Sequence, residues 1–255
     1  MMPLGDDNTA NRGVPVVNYA LIATCVLVFF GLQGAGLDEG NSFTMSWSLV
    51  PEEIVTGHDV ISPAGTREIV HQGHPVEVDV PGLGPTPVVY LTMLTSMFMH
   101  GSIMHLFGNM LFLWIFGDNI ESRLGSGRYL AFYILGGIAA GLSHVGAVYA
   151  LAGDPRVPCL GASGAISAVL AAYMLLFPDN RVRVLLFRII TEVPAIVAVG
   201  MWFLMQVLSA AFDSAGGGGV AYGAHIGGFV AGFPLALWLC PRIPPGAGFI
   251  EAPEE

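Results

Sequence analysis

A serine lies between small residues in Gly161-Ala162-Ser163-Gly164, at the start of the apolar run from Ala165 to Phe177. A serine at the start of a helix lies beside free backbone N–H groups and the positive end of the helix dipole, and both favour negative charge next to its hydroxyl. The same pattern is also typical of an N-cap serine with small residues for tight helix packing. The rest of the chain has to separate a reactive serine from a structural one.

The composition is that of a membrane protein. Of 255 residues, 54% are hydrophobic and 11% are charged, with a mean hydropathy of +0.67, whereas soluble domains carry about 25% charged residues. The net charge of −10 does not indicate a nucleic-acid partner, because many of the acids lie in one segment, Asp38 to Asp79, which we expect to be a solvated loop. We therefore expect the lipid bilayer around the chain and no nucleic acid as a partner.

Neither a cofactor nor a metal is expected. The three cysteines are scattered along the chain, which favours neither a disulfide framework nor a zinc site. His58, His71 and His74 fall in the solvated loop without the spacing of metal ligands, so we interpret them as surface residues.

Six windows of about 20 apolar residues predict bilayer spans. They lie near residues 15–36, 97–117, 129–152, 163–177, 189–212 and 220–240. The predicted fold class is an all-α membrane protein, a six-transmembrane-helix bundle with a long first extracytoplasmic loop at residues 37–90. The membrane domain is expected to cover 15–240, with tails at 1–14 and 241–255. Within the loop, Thr66 to Val80 alternates enough to predict a small hairpin.

The arginines predict the orientation. With both termini cytoplasmic, only Arg67 and Arg156 would lie outside, and the remaining arginines would lie inside, as the positive-inside rule requires. The polar, acidic segment 1–12 has no basic region and no short apolar core of a cleaved signal peptide. We expect a multi-pass protein of a prokaryotic cell (inner) membrane.

Polar residues within three of the predicted spans can meet. His105 and Asn109 share one helix face and should point into the bundle, because each would cost several kcal/mol in hydrocarbon. They could form a structural hydrogen bond between helices or belong to a site. His225 precedes a small-residue face at Gly228 and Gly232, which lets helix backbones approach closely enough for Ser163 and His225 to meet.

Depth in the membrane supports this convergence. The fourth span runs about 22 Å from Ser163 to Phe177, against about 30 Å of hydrocarbon. With Pro178 at the inner boundary, Ser163 lies roughly 8 Å below the outer surface, and His225 and His105 lie about 8 and 12 Å down. The segment before Ser163 must then enter the membrane as irregular backbone, which is tolerated where it lines a protected cavity.

A nucleophile, a base and two neutral donors at one level form the set used in acyl transfer. The chain resembles the rhomboid family of intramembrane serine proteases. The residues that carry the resemblance are His105 to Asn109 (His-x-x-x-Asn), Glu121-Ser122-Arg123-Leu124-Gly125, Gly161 to Gly164, and Ala224-His225 with Gly228 and Gly232.

The resemblance implies roles for these residues. Ser163 would be the nucleophile and His225 its general base in a dyad, with His105 and Asn109 as oxyanion donors. The implied partners are transmembrane protein substrates, cut in or next to a transmembrane helix near small residues. The chain departs from many members at Leu91-Thr92, where they carry Trp-Arg, and at Ser167, where several carry an aromatic that stacks on the histidine. We therefore expect backbone packing or Ser167 to orient His225.

A carboxylate third member is not expected. Asp118, Glu121 and Glu192 lie at the inner level, with Glu192 one helical turn from Arg188. Asp213 lies at the outer level but precedes a run of four glycines, which cannot hold a buried carboxylate firmly.

Two other classes of function remain. A catalytically silent rhomboid-like protein would bind transmembrane helices and is expected to have lost the serine or the histidine, yet both are present. A transporter or channel would line a path with polar residues. The absence of internal repeats, and of mid-span ionisable residues other than histidine, disfavours that reading.

Overall fold

The computed structural model describes residues 2–9, 11, 13–36, 41–71, 74–80, 82–186, 188–212 and 221–240. Most of these residues are helical. The helices are α1 (Val16–Gly31), α2 (Ser42–Trp47), α3 (Pro51–Thr56), α4 (Thr92–Thr95), α5 (Ile103–Leu124), α6 (Ser126–Ala150), α7 (Ser163–Leu176), α8 (Ala195–Phe212) and α9 (Tyr222–Leu239).

Four of these helices, α5, α6, α8 and α9, are long and apolar enough to cross a membrane. Helices α1 and α7 are apolar but shorter, with 16 and 14 residues. The second predicted span is displaced, because Ser102 caps α5 by accepting a hydrogen bond from the backbone N–H of His105. The helix therefore begins at Ile103 rather than 97 and continues to Leu124.

The sequence analysis predicts an all-α fold, but the structure also contains five strands among the described residues. The strands are β1 (Met2–Asp6), β2 (Gly65–His71), β3 (His74–Val80), β4 (Arg181–Leu186) and β5 (Ile189–Pro194). Strands β2 and β3 form the expected hairpin in the first loop. The other three form an antiparallel sheet in the order β1-β4-β5.

This three-stranded sheet corrects two predictions. Residues 189–194, taken as the start of the fifth span, are strand β5, and Glu192 pairs across the hairpin with Arg183 at 3.3 Å rather than along a helix with Arg188. Alternating β-branched residues in this segment favour a strand, whereas a hydropathy window reads them only as apolar. The segment 1–14, predicted to be a tail, contributes β1 to the sheet.

Helix α7 lies at the centre of the core. All residues from Gly164 to Tyr173 are buried, and α9 packs extensively against both α6 and α7. The close approach needs glycine at two positions on α9. A Cβ at Gly228 would overlap the carbonyl oxygen of Gly164, and one at Gly232 would lie 2.6 Å from the carbonyl oxygen of Ala168. These two glycines therefore set the separation of the helices that carry Ser163 and His225.

The start of α1 is held by a carboxylate from α5. Glu121 accepts hydrogen bonds from the backbone N–H groups of Val17 and Asn18 at 3.0 and 2.7 Å, and from the hydroxyl of Ser126 at 2.6 Å. The free N–H groups at a helix start are favourable partners for an anion. Glu121 thus has a structural position.

The first loop is attached to the bundle without the Trp-Arg pair. Glu52 pairs with Arg156 at 2.6 Å, and Thr86 donates to the buried carboxylate of Glu53. The hydroxyl of Thr95 donates to the carbonyl oxygen of Trp47 at 2.8 Å. The first of these contacts connects the loop to the segment that precedes α7, the second lies within the loop, and the third connects the loop to α4.

Candidate active site

The chain before Ser163 is irregular and is fixed by backbone hydrogen bonds. Cys159 exchanges two hydrogen bonds with Leu49, at 2.7 and 3.0 Å, and the N–H of Gly161 donates to the carbonyl oxygen of Ser96 at 2.9 Å. Helix α7 begins at Ser163, so the backbone N–H groups of its first turn have no partner inside the helix. Ser163 therefore lies where a fixed, irregular segment ends and a helix with free N–H groups begins.

Ser163 and His225 are brought together. The Oγ of Ser163 lies 2.8 Å from Nε2 of His225, within hydrogen-bond distance, although the two residues are 62 positions apart in sequence. Both side chains are half-buried. The geometry is that of a hydroxyl next to a base that can take its proton.

The other ring nitrogen of His225 also has a partner, which the sequence analysis missed. Nδ1 lies 2.8 Å from Oε1 of Gln206 on α8. The rings of Trp202 and Tyr222 have their centroids 6.1 and 6.3 Å from that of the imidazole. Of the two alternatives expected to orient His225, backbone packing or Ser167, the second is not the one seen, since the Ser167 hydroxyl donates to the carbonyl oxygen of Ser163.

A signal for Gln206 was present in the sequence. It carries the one amide side chain of α8, a helix that is otherwise apolar apart from Ser209 and the indole of Trp202. An amide inside a membrane span is costly unless it has a partner. No motif or spacing connects it to His225, so the sequence pattern alone does not place it in the site.

The ring of His105 faces the same site. The N–H of Gly101 donates to its Nδ1 at 3.4 Å, which in a neutral imidazole leaves the hydrogen on Nε2. A Cβ built on Gly161 would lie 3.0 Å from that Nε2 and 3.6 Å from Oγ of Ser163. Gly161 also has a φ of +131°, which L side chains rarely adopt. The missing side chain leaves a space between a donor and the serine.

Asn109 lies one turn further along α5 and is buried. Its Nδ2 donates one hydrogen bond, to the carbonyl oxygen of His105 at 3.0 Å, and carries a second hydrogen. His100 lies just before the helix. Its backbone bonds to Gln33 and its ring packs edge-on against that of His105, with the centroids 5.2 Å apart. His100 thus backs the ring of His105.

Other candidates stay outside this cluster. Asp213 lies outside the described residues, so the prediction about it is not addressed by the structure. Among the residues that are described, no three His, Cys, Asp or Glu side chains are grouped as a metal site requires. The arrangement is one of serine, imidazole and amide groups.

A serine hydrogen-bonded to a histidine among membrane-spanning helices is the arrangement expected of an intramembrane serine hydrolase. Sequence comparison gives the family. Residues 88–242 match the Rhomboid domain family. Rhomboid protease GluP of Bacillus subtilis is 33% identical over 230 residues, covering 89% of this chain and 36% of that protein. The chain therefore belongs to the rhomboid family, and it is a multi-pass membrane protein.

Mitochondrial proteins are also similar to it. The human presenilin-associated rhomboid-like protein is 36% identical over 124 residues, which cover 44% of this chain and 32% of that protein. Rhomboid protein 1 of Saccharomyces cerevisiae is 34% identical over 150 residues, covering 56% and 40%. The matched segments span between about a third and two fifths of the length of these curated relatives.

Proposed function

We propose that the protein is an intramembrane serine endopeptidase that cleaves membrane-anchored proteins in or next to a transmembrane helix. The observation that carries the proposal is the hydrogen bond of 2.8 Å between Ser163 and His225 at the helix start. Membership of the rhomboid family and the name of the Bacillus subtilis relative support the class of reaction. A silent helix-binding protein would not need this pair.

In the proposed reaction, Ser163 Oγ attacks the carbonyl carbon of a peptide bond while its proton passes to Nε2 of His225. The oxyanion would be held by the free N–H groups of the α7 start, the Nε2–H of His105 and the amide of Asn109. When the C–N bond breaks, Nε2 gives its proton to the departing amine. Water then attacks the carbonyl carbon of the acyl-serine while Nε2 takes its proton. Nε2 returns this proton to Ser163 Oγ as the acyl group leaves.

The space left by Gly161 supports this arrangement. A reacting atom must sit about 3 Å from both the nucleophile and the oxyanion donors. The position of the absent Cβ is 3.0 Å from His105 Nε2 and 3.6 Å from Ser163 Oγ. Because no Cβ stands there, a carbonyl group of the substrate can approach both atoms over the backbone of Gly161.

The orientation proposed here has six spans with both termini in the cytoplasm of a prokaryotic cell. Strand β1 pairs with β4, so the N-terminus and the connection between α7 and α8 lie on one side of the bundle. The loop around Leu49 and Cys159 lies at the opposite end of α7. Ser163 then opens toward the outer face.

The proposal is tested with Ser163→Ala and His225→Ala. Each should abolish cleavage of a reporter transmembrane protein, because a hydroxyl without its base is a poor nucleophile at neutral pH. The double variant should be no worse than either single one, since residues that act as a unit are not additive. A serine-directed fluorophosphonate should label the wild type and Ser209→Ala, a serine on α8, but not Ser163→Ala. Cleavage by Ser163→Ala well above background would refute the assignment.

A further inference from the structure

The second ring nitrogen of His225 faces an amide rather than a carboxylate. In soluble serine hydrolases a carboxylate accepts from Nδ1–H and holds the imidazole in the tautomer that leaves Nε2 free as a base. Here the acceptor at 2.8 Å is Oε1 of Gln206. An amide oxygen can accept the same hydrogen bond without adding a charge to the membrane interior.

We infer that Gln206 is the positioning residue of the site: its Oε1 accepts the Nδ1–H of His225 and so selects the tautomer whose Nε2 can take the proton of Ser163. This inference rests on the proposed function and deepens it, adding to the serine–histidine dyad a glutamine that orients the histidine. Gln206 takes no proton and touches no substrate. It acts through the ring of His225.

The location of Gln206 supports a specific role for its amide. It is on α8, whose 18-residue span is the most hydrophobic of the four long helices, with a mean hydropathy of 2.0. A half-buried amide there is costly without a partner, and His225 is the partner that the structure gives it. The neighbouring rings of Trp202 and Tyr222 limit the movement of the imidazole but cannot choose which nitrogen carries the hydrogen.

The choice of tautomer decides whether the base works. A neutral imidazole has one N–H and one acceptor nitrogen. With the hydrogen on Nδ1, Nε2 accepts from the Ser163 hydroxyl. With the hydrogen on Nε2, the ring would donate to Ser163 and could not receive its proton.

The first measurement is independent of proteolysis. In protein labelled with ¹⁵N-histidine and held in detergent micelles, the ¹⁵N signals of His225 are identified by their loss in His225→Ala. We expect the wild type to carry its hydrogen on Nδ1. In Gln206→Met, which keeps the length of the side chain and removes the acceptor, we expect a mixture of tautomers. A wild-type His225 with its hydrogen on Nε2 would overturn the inference, and this outcome does not depend on whether Gln206→Met folds.

The second measurement uses turnover of the reporter. We expect Gln206→Met to lower kcat roughly 10- to 100-fold with KM unchanged, less than the loss of about 10⁴ on altering a charged triad member. Gln206→Glu, which retains an acceptor at the same reach, should restore most of the rate and the Nδ1–H tautomer. Met205→Leu is the control, since this adjacent side chain is 54% exposed and points away from the core.

The two proposals fail in different ways. If Ser163→Ala cleaves the reporter as well as the wild type, the proposed function is wrong, while the tautomer measurement still decides the role of Gln206. If Ser163→Ala is inactive but Gln206→Met keeps both the wild-type tautomer and the wild-type kcat, the dyad stands and the inference about Gln206 is overturned.

Discussion

Among single residues, the two side chains proposed to hold the oxyanion, His105 and Asn109, each keep one N–H free of the hydrogen bonds that the structure gives them. His105 has its Nδ1 occupied by the N–H of Gly101, so its Nε2–H is available. Asn109 uses one amide hydrogen on the carbonyl oxygen of His105 and keeps the other. Both proposed donors belong to α5, whereas the serine and histidine belong to α7 and α9, so three helices have to be in register for the proposed reaction.

Asn109→Ala should lower kcat by roughly 10²-fold or more, in the range for loss of one oxyanion donor, with little effect on KM. The reason is that the amide acts on charge that exists only in the transition state. Steady-state kinetics on the reporter check this, with Asn180→Ala as a control amide in the connection after α7. A rise in KM at constant kcat would assign Asn109 to substrate binding instead.

His105→Ala should lose activity similarly, since its Nε2–H faces the space beside Gly161. Thermal unfolding separates this loss from a loss of packing, because the ring of His100 rests on that of His105. His100→Ala should lower the unfolding temperature. If it lowered kcat at unchanged stability, the supporting position given to His100 would be wrong.

At the scale of the elements, the contact between α7 and α9 determines whether the serine and histidine meet. Gly228→Ala places a methyl group on the carbonyl oxygen of Gly164 and should push the helices apart. A displacement of about 1 Å costs about 10²-fold in rate, and overpacking costs about 1–3 kcal/mol of stability. Gly200→Ala on α8 is the matched control, because a Cβ there meets nothing within 4 Å. Full activity in Gly228→Ala would show that the contact can yield without separating the pair.

The docking of strand β1 should depend on pH. Asp6 accepts hydrogen bonds from Tyr173 and Asn119 at 2.6 and 2.7 Å. Burial raises the pKa of Asp6 to about 7, against the effect of the Tyr173 hydrogen bond, and the neighbouring carboxylates Asp118 and Asp7 raise it further. The ordinary pKa is 3.8. The Asp6 carboxyl therefore holds its proton more tightly when β1 is docked. This stabilisation of the docked strand is complete below about pH 4 and is lost as the pH rises through about 7.

Hydrogen exchange of the β1 amides, corrected for intrinsic rates, should therefore be faster at pH 8 than at pH 6. In Asp6→Asn the difference should disappear. Asp7→Asn is the control, because hydrogen bonds from Thr9 lower the pKa of Asp7 and keep it ionised over this range. Equal protection of β1 at both pH values in the wild type would contradict the prediction.

At the scale of the whole molecule, the distribution of arginine predicts which side each loop faces. Cysteines introduced at Ser62 and Glu254, in a background without Cys25, Cys159 and Cys240, should react with a membrane-impermeant maleimide from opposite sides of the membrane. The reason is the excess of arginine on the proposed inner side. Reaction of both from one side would overturn the orientation and, with it, the depth argument for Ser163.

Sequence reasoning reached the parts of the site that have a pattern. His105 and Asn109 are one helical turn apart, Ser163 opens a short apolar helix, and His225 accompanies two glycines, so local spacing singles out each of them. Their depth in the membrane and the family resemblance then group them into one site. Gln206 had no such pattern, because its relation to His225 exists only after α8 and α9 pack. The β1–β4 pairing was missed for the same reason: Met2 to Asp6 contains Pro3 and Gly5, which disfavour strands, and its partner is far along the chain.

This same pairing has a consequence for biosynthesis. Translation supplies β1 well before β4, so Met2 must wait for Leu185 before its strand has a neighbour, and His225 is translated later still. At about 5–20 residues per second, Ser163 emerges several seconds before the residue proposed to activate it. On the proposed mechanism, a partly synthesised chain carries a serine without a base. A protease of this mechanism would therefore stay silent toward neighbouring nascent proteins until α9, which carries His225, has entered the membrane.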